Sequence, residues 1–187
     1  MDYKTAIEIF DTLAEDDKAK EIYAHFGLAV FITQCLEQQA INMIAICRQA
    51  KQKLKTQEQV DSLWDNYDLG SRTLGVLINE IKQLYNLTEQ DTIELGEVLR
   101  LRNYIAHDYF RFNAELFYTD SGQKRMIKDF VEFRDRAKLL DSKLINYAKT
   151  YIDKVGLTDK RIQEIYKQTK KEWQQKIITD EHKTRIK

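Results

Sequence analysis

Within Leu101-Arg102-Asn103-Tyr104-Ile105-Ala106-His107-Asp108-Tyr109 the chain places an arginine, an asparagine and a histidine inside six residues. Arginine is a permanent cation whose planar fork of donors fits phosphate oxygens. Histidine is the side chain best placed to move protons near neutral pH. Asn103 stands four residues before His107, so in a helix the two share a face, and the amide can orient the ring or a substrate oxygen. These three are the minimum set for metal-free cleavage of a phosphodiester. With three histidines and ten arginines in 187 residues, Arg-Asn at this spacing from a His is expected by chance only about 0.01 times per chain.

The elements that must position this set read as helices throughout. Proline is absent and only six glycines occur, so helix breakers are nearly missing. No run of Val, Thr or Ile alternates with polar residues as a half-buried strand requires. A short amphipathic helix is expected over 3–13, then a long one over 18–54 with Ala24, Leu28, Phe31, Cys35, Ile41, Ile44 and Cys47 on its apolar side. Glu37, Gln38, Gln39 and Asn42 interrupt that stripe and suggest a partly exposed turn. Thr56 and Gln59 form a capping box for a short helix to about 67, broken by Asp68-Leu69-Gly70. Ser71 then caps a helix to about 85, in which Gly75 suggests close packing against a neighbour.

Thr88 and Asp91 cap the helix that carries the motif, expected unbroken to about Phe112. The clearest loop is Tyr118-Thr119-Asp120-Ser121-Gly122. A helix over 124–154 follows, its apolar stripe running from Ile127 through Phe130, Ala137 and Leu144 to Tyr151. Gly156 stops it, and Thr158 or Asp159 starts a last helix whose few apolar residues suggest an arm packed along one side. The division that follows is a bundle over 1–155 and a helical arm over 156–187.

The pattern Arg-Asn-x-x-x-His, carried here by Arg102, Asn103 and His107, resembles the signature of the HEPN superfamily of all-α ribonucleases and toxins. The resemblance covers about residues 20–150 and implies an HEPN-like helical bundle with an additional C-terminal helix. It implies that His107 acts as general acid or base around the ribose 2′-hydroxyl and the leaving 5′-oxygen. Arg102 would bind the scissile phosphate, and Asn103 would bond the histidine or the substrate. The substrate this implies is RNA, because its own 2′-hydroxyl would be the nucleophile. No cofactor or metal is implied.

Arg100 and Arg111 project within about 40° of His107 on an ideal helix and could hold flanking phosphates, or be ordinary surface arginines. Arg102 and His107 are about 140° apart, so one helix cannot easily close both on one phosphate. HEPN domains are similar in pairing their motifs at a dimer interface, which implies a homodimer here. Tyr109 extends the likeness to HEPN toxins paired with a nucleotidyltransferase antitoxin, where the corresponding tyrosine accepts a nucleotide. Among ten tyrosines and eight phenylalanines it also reads as a core residue, and the longer C-terminal part departs from those toxins. The expectation is a metal-independent endoribonuclease of a toxin–antitoxin or phage-defence system. The alternatives are a non-catalytic module that binds RNA or nucleotides and a helical dimerisation or adaptor protein.

Charge supplies no global field for nucleic acid, since 30 basic residues balance 30 acidic ones. Cys35 and Cys47 lie about 18 Å apart by helical rise, too far to bridge, and read as buried free thiols of a cytoplasmic protein. His25 and His182 lack metal-ligand neighbours in sequence. No signal peptide is visible, and the longest apolar stretch is too short to span a bilayer, so no membrane partner is expected.

Overall fold

A computed structural model describes residues 1–54, 56–65 and 73–185. The fold is an all-α helical bundle, with no strand among the described residues. Its eight described α-helices are α1 (Tyr3–Phe10), α2 (Glu15–Gln52), α3 (Gln57–Asp65), α4 (Leu74–Leu84), α5 (Glu89–His107), α6 (Tyr109–Phe112), α7 (Asp120–Lys154) and α8 (Asp159–Arg185). A 3-10 turn over Ala114–Tyr118 joins α6 to α7. None of the described helices is long and apolar enough to cross a membrane.

The long helices α2 and α7 form the spine and make the most extensive helix pair. The spacing in α7 matches the expected stripe: Met126, Ile127, Phe130, Phe133, Ala137, Leu140, Leu144 and Ala148 are all buried. α2 differs from expectation. Leu28 and Phe31 are 39% and 56% exposed, and Cys35 is exposed while Cys47 is buried. The N-terminal half instead turns Ile22, His25, Ala29, Thr33 and Leu36 inward, whereas the C-terminal half buries Ala40, Met43, Ala45 and the expected Ile44 and Cys47. Of the two polar members, Thr33 is satisfied locally, whereas His25 Nε2 is buried beside Glu21 without a hydrogen bond. The Thr33 hydroxyl donates to the Val30 carbonyl at 2.5 Å, and the His25 ring lies 3.2 Å from the Glu21 carboxylate. Burial lowers the His25 pKa, and the Glu21 charge opposes that shift.

Several helix ends follow their local chemistry. Asp2 accepts from the Thr5 amide at 2.9 Å and caps α1, which ends at Phe10, three residues earlier than the sequence suggests. Glu15, Asp16 and Asp17 fill the first turn of α2, where the helix dipole favours acids. Lys53, at φ 54°, terminates that helix in the left-handed region. Thr56 and Gln59 make both bonds of the capping box at 3.3 Å each. The expected break at Asp68-Leu69-Gly70 and the Ser71 cap lie outside the described residues. Gly75 is not in an unusually close contact: a Leu99 methyl stands 3.5 Å from where a Cβ would sit, ordinary van der Waals range. Gly156, at φ 73°, stops α7 as expected.

The loop expected at 118–122 is mostly helical. Thr119 accepts from the Gly122 amide at 3.1 Å, so α7 starts at Asp120. Gly122 lies against the 3-10 turn, and a Cβ there would stand 2.2 Å from the Leu116 carbonyl oxygen. Glycine is required for that approach of two backbones. Gly122→Ala is therefore expected to cost about 1–3 kcal/mol and to lower the Tm by several degrees. Gly27, on the exposed face of α2, has nothing within 4 Å of its would-be Cβ. Gly27→Ala should raise stability by about 0.5–1 kcal/mol. Thermal melts of the two variants check these opposite signs.

The last helix corrects another expectation. α8 does not pack its apolar side along the bundle: Ile162, Ile165, Tyr166, Trp173 and Ile177 are 42–63% exposed. Only Ile162 and Ile165 edge a groove shared with α2 and α7.

Candidate functional site

Positioning of the motif begins at the start of α5. The Thr88 hydroxyl accepts from the Asp91 amide at 3.1 Å. Asp91 then accepts from Lys143 at 2.9 Å and from the Tyr147 hydroxyl at 2.6 Å, both on α7. Those bonds hold its carboxyl at about 2, well below the ordinary carboxylate range. Further along, Arg136 of α7 pairs with Glu94 at 2.6 Å and also with Glu97. Leu95, Val98 and Ile105 bury the inner face. The motif helix is thus fastened to the spine by charge on its flank and by apolar contact beneath.

α5 ends at His107, sooner than the periodicity suggests. Asp108, at φ −124° and ψ −22°, breaks the helix, and Tyr109–Phe112 form a separate single turn. Relations computed on one continuous helix therefore fail beyond His107. Arg111 does not share the His107 face by helical spacing; it pairs with Asp108 at 2.7 Å. Tyr109 does not stand on a face with Arg102, and its side chain is buried at 2% exposure. The break arises because Tyr109 and Phe110 dock into an aromatic cluster. The ring of Tyr109 lies 4.6 Å from that of Phe130, and Phe110 lies 4.9 Å from Phe26. Burying the Tyr109 ring and part of the Phe110 ring outweighs the loss of one helical turn.

Asn103 and His107 are both exposed, one turn apart on the outer face of α5, and Arg100 is exposed on the same side. Arg102 is half-buried on a different side. Its guanidinium donates to Glu37 of α2 at 2.7 Å and to the side-chain oxygen of Asn103 at 3.1 Å. The structure therefore joins Arg102 to Asn103 and leaves His107 open to solvent. Glu37 is a member of the site that the motif did not indicate. Its signal in the sequence was a charge interrupting the apolar stripe of α2.

Tyr109 has a different setting. Its hydroxyl donates to Asp129 at 2.8 Å, and Asp129 also accepts from Arg125 at 2.8 Å. Burial, reinforced by the Asp129 charge, pushes the phenol well above its ordinary range. Tyr104, Tyr109, Asp129, Glu132 and Arg136 border a cavity of about 300 Å³ between α5 and α7. Nucleotide transfer to this hydroxyl would require the Tyr109–Asp129 bond to open first. Tyr109→Phe deletes that bond and should cost about 1–3 kcal/mol of stability, measured by denaturant unfolding.

Among the described residues, no group of three His, Cys, Asp or Glu side chains is arranged to hold a metal ion. The motif itself presents an exposed imidazole, an amide and a guanidinium already engaged by a carboxylate. Comparison with protein families, with curated proteins and with solved structures returns no significant match to this chain.

Proposed function

We propose that the chain is an HEPN-type, metal-independent endoribonuclease acting as a homodimer. The observation that carries this reading is that Arg102, held by Glu37, stands on the same helix on which His107 is open to solvent. A guanidinium whose two terminal nitrogens donate separately to Glu37 and to Asn103 is held in place, and a phosphate that displaced both acceptors would find two donors in a planar fork. His107, exposed nearby in sequence, is free to meet a ribose hydroxyl or a leaving oxygen.

Pairing of two copies supplies what one helix lacks, because the ideal-helix separation of Arg102 and His107 is about 140°. The outer face of α5 supports such pairing. Ile93, Gly96, Arg100, Asn103 and His107 recur at alternating spacings of three and four and are all exposed. Gly96 leaves open space where a Cβ would stand, which permits a close helix approach. Two such faces across a two-fold axis would bring both copies of His107 and Asn103 into one cleft. A nucleotidyltransferase partner remains part of this proposal, with Tyr109 as its target once α6 lifts away.

The test is cleavage of single-stranded RNA by the purified protein in EDTA, with products ending in 2′,3′-cyclic phosphate or its hydrolysed form. Arg102→Ala should lose about 10²- to 10³-fold in rate, the range for removing one donor to developing charge. Glu37→Gln frees the guanidinium and should tighten RNA binding. The Arg102–Glu37 pair also fits a second reading, a module that binds RNA without cutting it. RNA binding without cleavage under all conditions would decide for that module. Neither binding nor cleavage would leave the motif as a polar cluster of an adaptor protein.

A further inference from the structure

We infer that α8 is a self-association arm, pairing antiparallel with α8 of a second copy of this chain. The inference is independent of the ribonuclease reading. From Asp159 to Ile177 every side chain but those at the groove edge stands clear of the bundle, yet the helix is amphipathic. Ile162, Tyr166, Trp173 and Ile177 fall within about 60° of one another on the helix surface, with Thr169 in the same stripe. Lys160, Lys167 and Lys171 project about 140–180° from Ile162 and stay in water when the stripe is covered. Lys176 instead lies about 40° from Ile162, with its ammonium 4.8 Å from the Trp173 ring, and must turn its charge out past the seam.

The spacing of the stripe is its own mirror image. Ile162 and Ile177 are equidistant from a midpoint between Thr169 and Lys170, and so are Tyr166 and Trp173. A two-fold axis at that midpoint sets each Ile162 opposite Ile177 of the second copy, and each Tyr166 opposite its Trp173. An isologous interface needs this self-complementarity, because the same patch must fit itself. A parallel pairing would instead face Tyr166 with Tyr166 and Trp173 with Trp173, stacking unequal bulk at the two levels.

The area is sufficient. Tyr166 is 63% and Trp173 57% exposed, and Ile162, Ile165 and Ile177 are 42–54% exposed. Aromatic side chains of about 150–250 Å² then give a stripe near 500 Å², and two arms cover about 1,000 Å², the lower bound for a specific interface. The groove beside α8 adds a reason for the antiparallel sense. Met43, Ile46, Ile152, Ile162 and Ile165 line a cleft of about 650 Å³ at the root of the arm. In the antiparallel pair the far end of the second copy's arm, with Ile177, arrives at the level of Ile162 and covers that cleft.

Cysteine placement tests the arrangement in the full chain. Cys35 is exposed and is first replaced by serine, whereas buried Cys47 is kept. Thr169→Cys lies beside the axis, within roughly the 8–10 Å between packed helices, and should cross-link to its copy with a short bismaleimide. Ile177→Cys lies about 22 Å from its copy along the pair and should not. Trp173→Glu puts a carboxylate into the seam and should raise the concentration at which copies associate at least tenfold in sedimentation. A thermal melt serves as folding control, since Trp173 is 57% exposed. Arg102→Ala and His107→Ala should leave the cross-link unchanged, which separates this result from the fate of the ribonuclease proposal. Cross-linking at Ile177 in preference to Thr169 overturns the antiparallel arrangement. Absence of any cross-link, with association unaffected by Trp173→Glu, overturns self-pairing altogether. Binding of an unpaired arm to anionic vesicles would do the same and reassign the stripe to lipid.

Discussion

Replacing His107 with alanine is expected to lower RNA cleavage by about 10²- to 10⁴-fold, the usual worth of a positioned imidazole in proton transfer. The fold should not change. His107 is exposed at the last turn of α5, and surface substitutions of this kind stay within about 0.5 kcal/mol. A melting curve superimposable on that of the unmodified protein is therefore part of the expected result. In the proposed dimer, one copy of His107 would take a proton from the 2′-hydroxyl while the other would give one to the leaving oxygen. Mixed dimers with one altered copy should fall nearly as far as the double variant, because the two roles fail together. Cleavage that persists in His107→Ala at the original rate would remove the histidine from the reaction. A monomeric protein that still cleaves would remove the shared cleft.

The largest effect on stability is expected at Phe130. Its side chain is fully buried, with ring centroids 5.6 Å from Phe26, 4.6 Å from Tyr109 and 6.0 Å from Phe110. Phe130 thus joins α2, α6 and α7 at the point where the motif helix ends. Phe130→Ala leaves a cavity among stiff rings that cannot collapse into it, and should cost about 3–5 kcal/mol. For a chain of this size that corresponds to a Tm lower by about 6–20 °C. The cluster also fixes the break after His107, so α6 should lose hydrogen-exchange protection before the spine does. Phe130→Leu keeps most of the apolar volume and should lose much less. Equal losses for the two variants would mean that ring packing does not hold this junction.

Where the sequence was legible, a local rule decided the outcome. The helical class followed from missing breakers and from a 3.6-residue period that nothing in the chain contradicts. The caps at Thr56 and Thr88 are encoded within four residues, and both form. The stop at Gly156 needs only a residue that tolerates positive φ. The stripe of α7 was readable because one face of that helix is far more apolar than the others. α2 offered two competing faces; periodicity chose the wrong one in its N-terminal half and the right one at Ile44 and Cys47. Its Leu28, Phe31 and Cys35 are apolar enough for a core, but the bundle buries His25 and Thr33, whose local partners are Glu21 and Val30.

The motif itself divides along the same line. That Asn103 and His107 share an open face was determined by their spacing, since four residues are one turn of any helix. That Arg102 is held by Glu37 was decided only in three dimensions, across 65 residues of chain. The ends of the motif were likewise a tertiary matter: Tyr109 and Phe110 leave the helical path because the ring cluster around Phe130 gains more from their burial than the helix loses at Asp108. The amphipathic stripe of α8 was written in the sequence, whereas its exposure was decided by the bundle, whose core is already closed by α2 and α7. Local spacing sets which side chains share a face. Only the competition among faces for a limited interior decides which of them are covered, because burial is a property of the whole packed molecule.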